Sequence, residues 1–577
     1  MASLYPKKIN GKTYWYLREM ARVEGKPKMV SERYVGTAAD VEVLLDAREQ
    51  AVLPDRTRHL AFGDVAAVWG ILDELQVAGI IDEVLGPGPS GLPLSPGTYL
   101  ALATLNRLVD PRAKLGLADW WKTTAADRFT RINAAALDHR RFWDAMHAVS
   151  LKQLERISQA IALRLIAVSG VDTSSVALDM TNFATFLATD NERAPIAQRG
   201  KAKQKRSDLR LVGLGLVVTR DGGIPLGWHA YPGDKPDVTQ FPTMIEALRS
   251  QHQAITRAGG NPAEPDVEGG EPDMTVVFDA GQNSHANFAH LAEQKLHYIG
   301  SVPASDCPEL IALPASVRSI VDADRFGGLT AYDTRITAYG STRRAILTHS
   351  PELHQAQARS FTGTTLTKVG TRLDELATRL ARGKTRRAKD TVSAEIETIT
   401  NQTWVRRVIR WQLTGDEPKD LRLSWHIDPV ARQALEDELF GKHVLITDHD
   451  DWPVAEVVAG YRSQSEAEFS FRQLKDPHVV SFSPMHHFTE HNIRVHTFTC
   501  VLALQIAHLM RHRARQAGLN LTVAALLDEL AAIQETVLLY QGPKGRPKAR
   551  RILTETTPTQ DRLNELFGLG RYAPARP

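Results

Sequence analysis

The 577-residue sequence predicts a mixed α/β sheet interrupted by an inserted α+β subdomain and preceded by a small β-hairpin unit and a helical domain. Three observations carry that architecture. From Ser174, three successive runs rich in Val, Leu and Ile (SSVALDM, LRLVGLGLVVT, IPLGWHAY) are separated by Gly or Asp turns, the pattern of a strand meander. Helix and strand then alternate: a helix over Thr239–Gln251, strand MTVVFDA, helix NSHANFAHLAEQ and strand HYIGSVPA. After residues 305–442, which carry strands and helices of their own, HVLITD and a following helix resume the interrupted pattern.

Taken in order, residues 3–37 alternate apolar and polar around Asn10-Gly11 and Gly25-Lys26, so residues 1–50 read as a β-hairpin unit with basic turns and a candidate DNA contact. Residues 55–170 are helical by period (DVAAVWGILDELQVAGIIDEVL, YLALATLNRLV), broken by LGPGPSGLPLSPG. Residues 171–304 form the first part of the sheet, with an acidic Gly/Pro loop, AGGNPAEPDVEGGEPD, before MTVVFDA. The inserted segment 305–442 contributes AYDTRITAYG, WVRRVIRWQL and LRLSWHI as strands. Residues 443–520 complete the core, and 521–577 read as a helical and then basic tail suited to dimerisation or DNA contact.

Lys plus Arg number 70 against 67 Asp plus Glu, so the formal charge of +3 does not by itself announce a nucleic-acid partner. Clustering says more. RGKAKQKRSDLR (199–210), RLARGKTRRAK (379–389), RHRAR (511–515) and KGRPKARR (544–551) offer phosphate contacts from several directions, although a single such cluster is commonly a solvated loop or helix end. Two cysteines, Cys307 and Cys500, exclude a disulfide framework and a cysteine-based zinc site, and fit a reducing cytoplasm. The start lacks the apolar core of a signal peptide. TFTCVLALQIAHLM (497–510) is too short and polar to span a bilayer and reads as a buried core helix, so no membrane partner is expected.

Asp179 closes the first strand (VALDM) and Asp279 a later one (VVFDA); carboxylates at strand carboxyl ends project into the crevice where open sheets bind ligands. In YRSQSEAEFSFRQLK, Tyr461, Glu468 and Lys475 recur at intervals of seven, one file about 21 Å long on a helix, beside the apolar file Ala467, Phe471 and Leu474. Glu468 is thus a candidate third carboxylate, with Asp448 at the end of HVLITD as its rival. Three hard oxygen ligands suit Mg²⁺ or Mn²⁺, and two such ions about 4 Å apart suit in-line phosphoryl displacement. Lys475 and Tyr461 are placed to contact phosphates, and Arg472 to add a phosphate fork or pair back to Glu468. Lys201, Lys203, Lys205, Arg206 and Arg210 lie in the loop joining the first two strands, near the same crevice. The bland readings are strand-end turns for the aspartates and a solvated helix boundary for the file.

Those segments together, LDMTNF, DLRLVGLGLVVTRDGGIPLGWHAYPGDKPDVTQF, VVFDAGQNSHANF, and YRSQSEAEFSFRQLKDP followed by IRVHTFTCVLALQI, resemble DDE transposases of bacterial insertion sequences, specifically the insertion-sequence-four superfamily and its 1634 group. The superfamily's signature is Tyr, two residues, Arg, three residues, Glu, six residues, Lys. Tyr461, Glu468 and Lys475 fall on it, while Gln464 stands where it has Arg, so the phosphate contact implied there is weakened or passes to Arg462 or Arg472. The resemblance implies a ribonuclease-H-like core, a Mg²⁺-bound triad of Asp179, Asp279 and Glu468, and a homodimer that synapses two transposon ends. It further implies recognition of double-stranded terminal repeats, in this chain by the hairpin unit and the helical domain, hydrolysis to a 3′-OH, and joining to target DNA. Some members pass through a hairpin at the DNA end held by an aromatic of the insertion, for which Trp404, Trp411 and Trp425 are the candidates here, although core positions suit them as well. A bacterial cytoplasmic protein, at the nucleoid when bound to DNA, is the matching expectation. The alternatives are a catalytically silent DNA-binding derivative and a metal-dependent nuclease without strand transfer.

Overall fold

The computed structural model describes residues 2–23, 26–49, 54–87, 91–201, 208–259, 274–483, 485–540 and 548–575. In chain order the strands are β1 (Ala2–Ile9), β2 (Lys12–Val23), β3 (Lys26–Thr37), β4 (Arg56–Ala61), β5 (Ser175–Thr185), β6 (Arg210–Thr219), β7 (Pro225–Pro232), β8 (Thr275–Val277), β9 (His297–Val302), β10 (Ser319–Ile320), β11 (Thr330–Ala338), β12 (Ser341–His349), β13 (Ile409–Thr414), β14 (Arg422–Ile427), β15 (Lys442–Thr447), β16 (Gln534–Tyr540) and β17 (Lys548–Leu553). They distribute over two compact units. One comprises Met1–Gly70, Ala118–Ala135 and Leu527–Pro577, the other Ile71–Leu117 and Ala136–Leu526.

In the first unit, Asn10 and Gly11 both take positive φ (51° and 81°), as a two-residue type I′ turn between Ile9 and Lys12 demands. The hairpin gains a third strand, giving the sheet β1-β2-β3, followed by the helix Ala38–Glu49. The tail differs from its helical expectation: after the helix Val523–Ala531, β16 pairs with both β17 and β4. Because β4 lies far away in sequence, no local signal announced the pairing. Glu535 on β16 is wholly buried and is held by Arg128 (2.6 Å) and Arg551 (2.5 Å), so its charge does not go uncompensated.

The second unit is built on a nine-stranded mixed sheet in the order β10-β11-β12-β15-β9-β8-β5-β6-β7. β5, β6 and β7 form the expected antiparallel meander, and β8 and β9 run parallel to β5. Every residue of β6 is buried, as a strand covered on both faces requires. Gly213 on that strand is obligatory, since a Cβ would stand 2.2 Å from the Tyr231 ring. β10, β11 and β12, which the sequence placed in the inserted segment, instead extend the main sheet, because β12 pairs antiparallel with β15 from Arg344↔Thr447 to His349↔Lys442. Between those two strands lies a separate core of Phe361, Leu373, Val392, Ile396, Leu435 and Phe440, with the β13–β14 hairpin packed on it. The helix Glu490–Gln516 is long and apolar enough to cross a membrane, but 94% of its apolar window is buried within the protein, as a core helix.

Candidate active site at the carboxyl ends of β5 and β8

β5 and β8 are adjacent and parallel, in register at Ala177↔Val277. Asp179 and Asp279 each lie two residues beyond that pair, so they stand level, one strand spacing of about 4.8 Å apart. Asp279 lies just past the end of β8, whereas β5 continues to Thr185, so Asp179 sits within its strand and does not close it as the sequence suggested. Asp179 Oδ1 accepts from the Met180 amide (2.7 Å). Asp279 caps the short helix Ala280–Gln282, its Oδ1 accepting from the Gly281 amide (3.0 Å). The capping reading of Asp279 is therefore true as far as it goes, yet it occupies one oxygen and leaves Oδ2 outside the cap.

Two helices, Val454–Arg462 and Gln464–Lys475, occupy the region read as one. Ser463 separates them: its Oγ donates to the Gly460 carbonyl (2.6 Å), and the Glu466 amide reaches only three residues back, to the Ser463 carbonyl (2.9 Å). A serine hydroxyl that competes for backbone acceptors is a natural interruption. Tyr461 consequently does not share a helix with Glu468 and Lys475. Ala467, Phe471 and Leu474 are buried as predicted, and the second helix packs against β5 and β6. Glu468 is exposed at its edge and forms no hydrogen bond or ion pair among the described residues. Arg472, likewise exposed, does not pair with it; its guanidinium stands 5.7 Å from the Phe469 ring.

The remaining members of the signature are distributed by packing. Lys475 Nζ donates to Thr181 Oγ1 (2.7 Å), two residues beyond Asp179 and on the same face of β5. Thr181 was missed in the sequence, although the period of two in LDMT carries the signal. Burial pushes the Tyr461 hydroxyl above the ordinary phenol range; a hydrogen bond with Ser301 opposes this, and the Asp279 and Glu468 carboxylates add to it. Tyr461 thus lies within the electrostatic reach of both acids. Gln464 is 6% exposed and donates through Nε2 to the Leu178 carbonyl (3.0 Å), so it fastens the helix to β5 and is not a DNA-facing side chain as expected. Arg462 is exposed, 4.6 Å from the Phe326 ring.

Several basic residues proposed for DNA are committed elsewhere. Arg210 is buried and donates to the carbonyls of Ala188, Asn191, Ala194 and Ala197, a structural role in place of a phosphate contact. Lys201 is exposed, while Lys203, Lys205 and Arg206 lie outside the described residues. In RHRAR, Arg511 bonds the Gly222 carbonyl and Glu466, and Arg513 pairs with Glu74, each at 2.7 Å. Arg379 and Arg387 share Glu395. Of the tryptophans, Trp411 and Trp425 pair across β13–β14 on the inserted core, with Trp425 Nε1 bonded to Asp374 (2.9 Å). Trp404 is 38% exposed and lines an open pocket with Phe361.

Asp448 is removed from contention by strand direction. β15 is antiparallel to β9, so its carboxyl end lies at the opposite end of the sheet, where Asp448 accepts from the Tyr298 amide (2.9 Å) and meets His297 Nδ1 (3.0 Å). His297, Asp448 and His449 bring their ligand atoms within 4.8 Å of one another, but His449 is stacked between the His297 and Trp452 rings, an arrangement of packing. Asp179, Asp279 and Glu468 do not form such a mutual cluster. A single Mg²⁺ with bonds near 2.1 Å spans donors at most about 4.2 Å apart, so one ion does not reach all three carboxylates as they stand. The donor chemistry nevertheless fits hard divalent cations: oxygens only, with Asp279 and Glu468 free of ion pairs among the described residues.

No protein-family profile and no curated protein matches the chain. Among solved structures it is similar to a piggyBac transposase synaptic complex with hairpin DNA, studied by cryo-EM, at 8% identity and a TM-score of 0.37 over 83% of this chain and 82% of that one.

Proposed function

We propose that the chain is a DDE-type DNA transposase that cleaves the ends of its element and joins the 3′-OH ends to target DNA, with Asp179, Asp279 and Glu468 holding two Mg²⁺ or Mn²⁺ ions. The observation that carries this reading is the level placement of Asp179 on β5 and Asp279 just past the adjacent parallel β8, beside a helix whose Glu468 carboxylate forms no hydrogen bond or ion pair among the described residues. The strand order β7-β6-β5-β8-β9, antiparallel and then parallel, supports a ribonuclease-H-like core.

When bound, the ions supply activation of a water or 3′-OH and charge stabilisation of the in-line displacement. The chain's own residues position. Gln464 sets the height of the Glu468 helix against β5, and the Gly281 amide orients the Asp279 carboxylate. Lys475, tethered to Thr181 next to Asp179, is placed to meet a phosphate as a point charge, and the Tyr461 hydroxyl, kept protonated by burial and the two acids, to donate to another. In this reading the partners are double-stranded terminal repeats and target DNA, held by a homodimer in the bacterial cytoplasm, and of the three candidate tryptophans of the inserted segment Trp404 is the most open to stack on a base.

The test is cleavage and joining of linear DNA bearing the element's ends with Mg²⁺, native protein against Glu468→Gln. The native chain is expected to cut and join, and the variant to bind and do neither. Equal reaction by both would remove Glu468 from the site; binding without reaction by both would favour a silent DNA-binding derivative, and cutting without joining a nuclease.

A further inference from the structure

A cleft of about 740 Å³ lies behind the sheet. His349 and Lys442 pair directly across β12 and β15 and so face one side, while Thr348 and His443 face the other, where they share a pocket with Tyr461 and Glu468. Arg318 and His354 complete the cleft's basic lining. The Arg318 guanidinium has no hydrogen bond or ion pair among the described residues, and its Nη1 is shut off from solvent without an acceptor. Lys442 spends one donor on the Ile311 carbonyl (2.6 Å). Of the two acids at the rim, Glu438 is taken by Arg407 and Asp437 accepts from Gln433 (2.9 Å). Burial, reinforced by Arg318 and the other cations, holds the basicity of His349 down; for Lys442 burial and Arg318 lower it, and Glu438 and Asp437 act against them without reversing the direction.

A guanidinium with an unsatisfied Nη1 beside an ammonium in an open cleft matches a phosphate group, which accepts from both. The two imidazoles at its edge meet each other (His349 Nε2 to His354 Nδ1, 3.4 Å), and His354 Nδ1 also meets the Phe440 carbonyl (3.3 Å). Strand geometry locates the cleft relative to the carboxylates. Lys442 lies two strand steps sideways from Asp279 and three residues further along, beyond the same carboxyl edge, about 14 Å away. A DNA strand advances about 3.4 Å per phosphate, so roughly four nucleotides cover that distance.

Resting on the transposase reading above, we propose that Arg318, His349, His354 and Lys442 form a subsite for a backbone phosphate of the DNA flanking the position cut at Asp179 and Asp279. The subsite anchors the strand on the far side of the carboxyl edge and adds affinity without reading sequence.

The experiment is a salt titration of full-chain binding to labelled duplexes that end at the cleavage position or extend eight nucleotides beyond it. Native protein is compared with Arg318→Gln/Lys442→Gln and Arg318→Lys, with melting curves alongside. On the extended duplex the double variant is expected to lose about tenfold in affinity and to flatten the slope of log K against log salt by about 1 to 2, whereas Arg318→Lys keeps the slope. Should the double variant not fold, Arg318→Gln alone, which breaks no bond, gives the same readout with a slope change of about 1. Unchanged affinity and slope overturn the subsite while leaving the function standing. If pyrophosphate raises the native melting temperature but not the variant's, and DNA binding is indifferent to the change, the cleft takes a free small anion and the proposal falls. Failure of the native chain to bind any duplex overturns both readings together.

Discussion

Glu466 and Glu468 stand two residues apart on one helix, and packing alone gives them opposite roles. Glu466 points inward to Arg511 Nη2 at 2.7 Å, whereas Glu468 stays at the surface, unpaired among the described residues. Arg210 makes the same point for a cation. Arg210→Ala removes the side-chain donor of the Asn191 and Ala197 carbonyls, while those of Ala188 and Ala194 keep the Asn191 and Ala197 amides (3.1 and 3.0 Å). It is expected to lower unfolding stability by about 2–4 kcal/mol, while DNA affinity of the folded fraction keeps its salt slope. Lys114 is the sharpest case. It is buried, makes no side-chain hydrogen bond or ion pair among the described residues, and is held down to about 7 by burial and by Arg107. The unfolded lysine keeps its proton to about pH 10.5, so the folded state is penalised most at pH 7 and below, and progressively less as pH rises. Lys114→Met should gain about 1–3 kcal/mol in denaturant unfolding at pH 7, with the gain shrinking by pH 9.5; a gain that grows with pH would contradict this.

At the scale of elements, the break at Ser463 decides what the glutamate helix presents. Gln464 opens the second helix and is pinned to the Leu178 carbonyl, so its departure from the signature arginine is a packing solution. Gln464→Arg restores the motif in letters but forces a guanidinium into a site 6% exposed with one carbonyl acceptor. It is expected to cost about 2–4 kcal/mol of stability and to reduce strand cleavage, measured by thermal melting and by the same cleavage gel. In β5 and β8 the parallel register matters as much as sequence. Either aspartate shifted by one residue would face the other side of the sheet.

Across the whole molecule, buried neutral histidines set the acid limit. His487 and His508 are both pushed down to about 3, chiefly by burial. Unfolding lets them take protons near 6.5, so the stability they confer is complete above that pH and is lost as pH falls from 6.5 towards 3, by at most about 1.4 kcal/mol per histidine per pH unit. Urea midpoints should therefore fall steeply between pH 6.5 and 5, and a flat profile would speak against neutral burial. Truncation after Ile533 removes β16 and β17, leaving β4 without a partner and Arg128 without Glu535. Calorimetry should then lose the transition of the unit containing them and keep that of the nine-stranded sheet.

The sequence by itself determined the meander β5 to β7, the alternation of helix and strand that follows, a core helix over 497–510 and the choice of Asp179, Asp279 and Glu468 as candidates, because each rests on local periodicity or on the residue pattern of a single element. Only tertiary structure decided that residues 319–349 extend the main sheet, that the tail returns as strands to β4, that Asp448 lies at the wrong end, and that Arg210, Arg511 and Gln464 serve the scaffold. Those outcomes depend on strand direction and on which carbonyls a folded backbone leaves to be satisfied, and both are properties of pairings between residues tens to hundreds of positions apart.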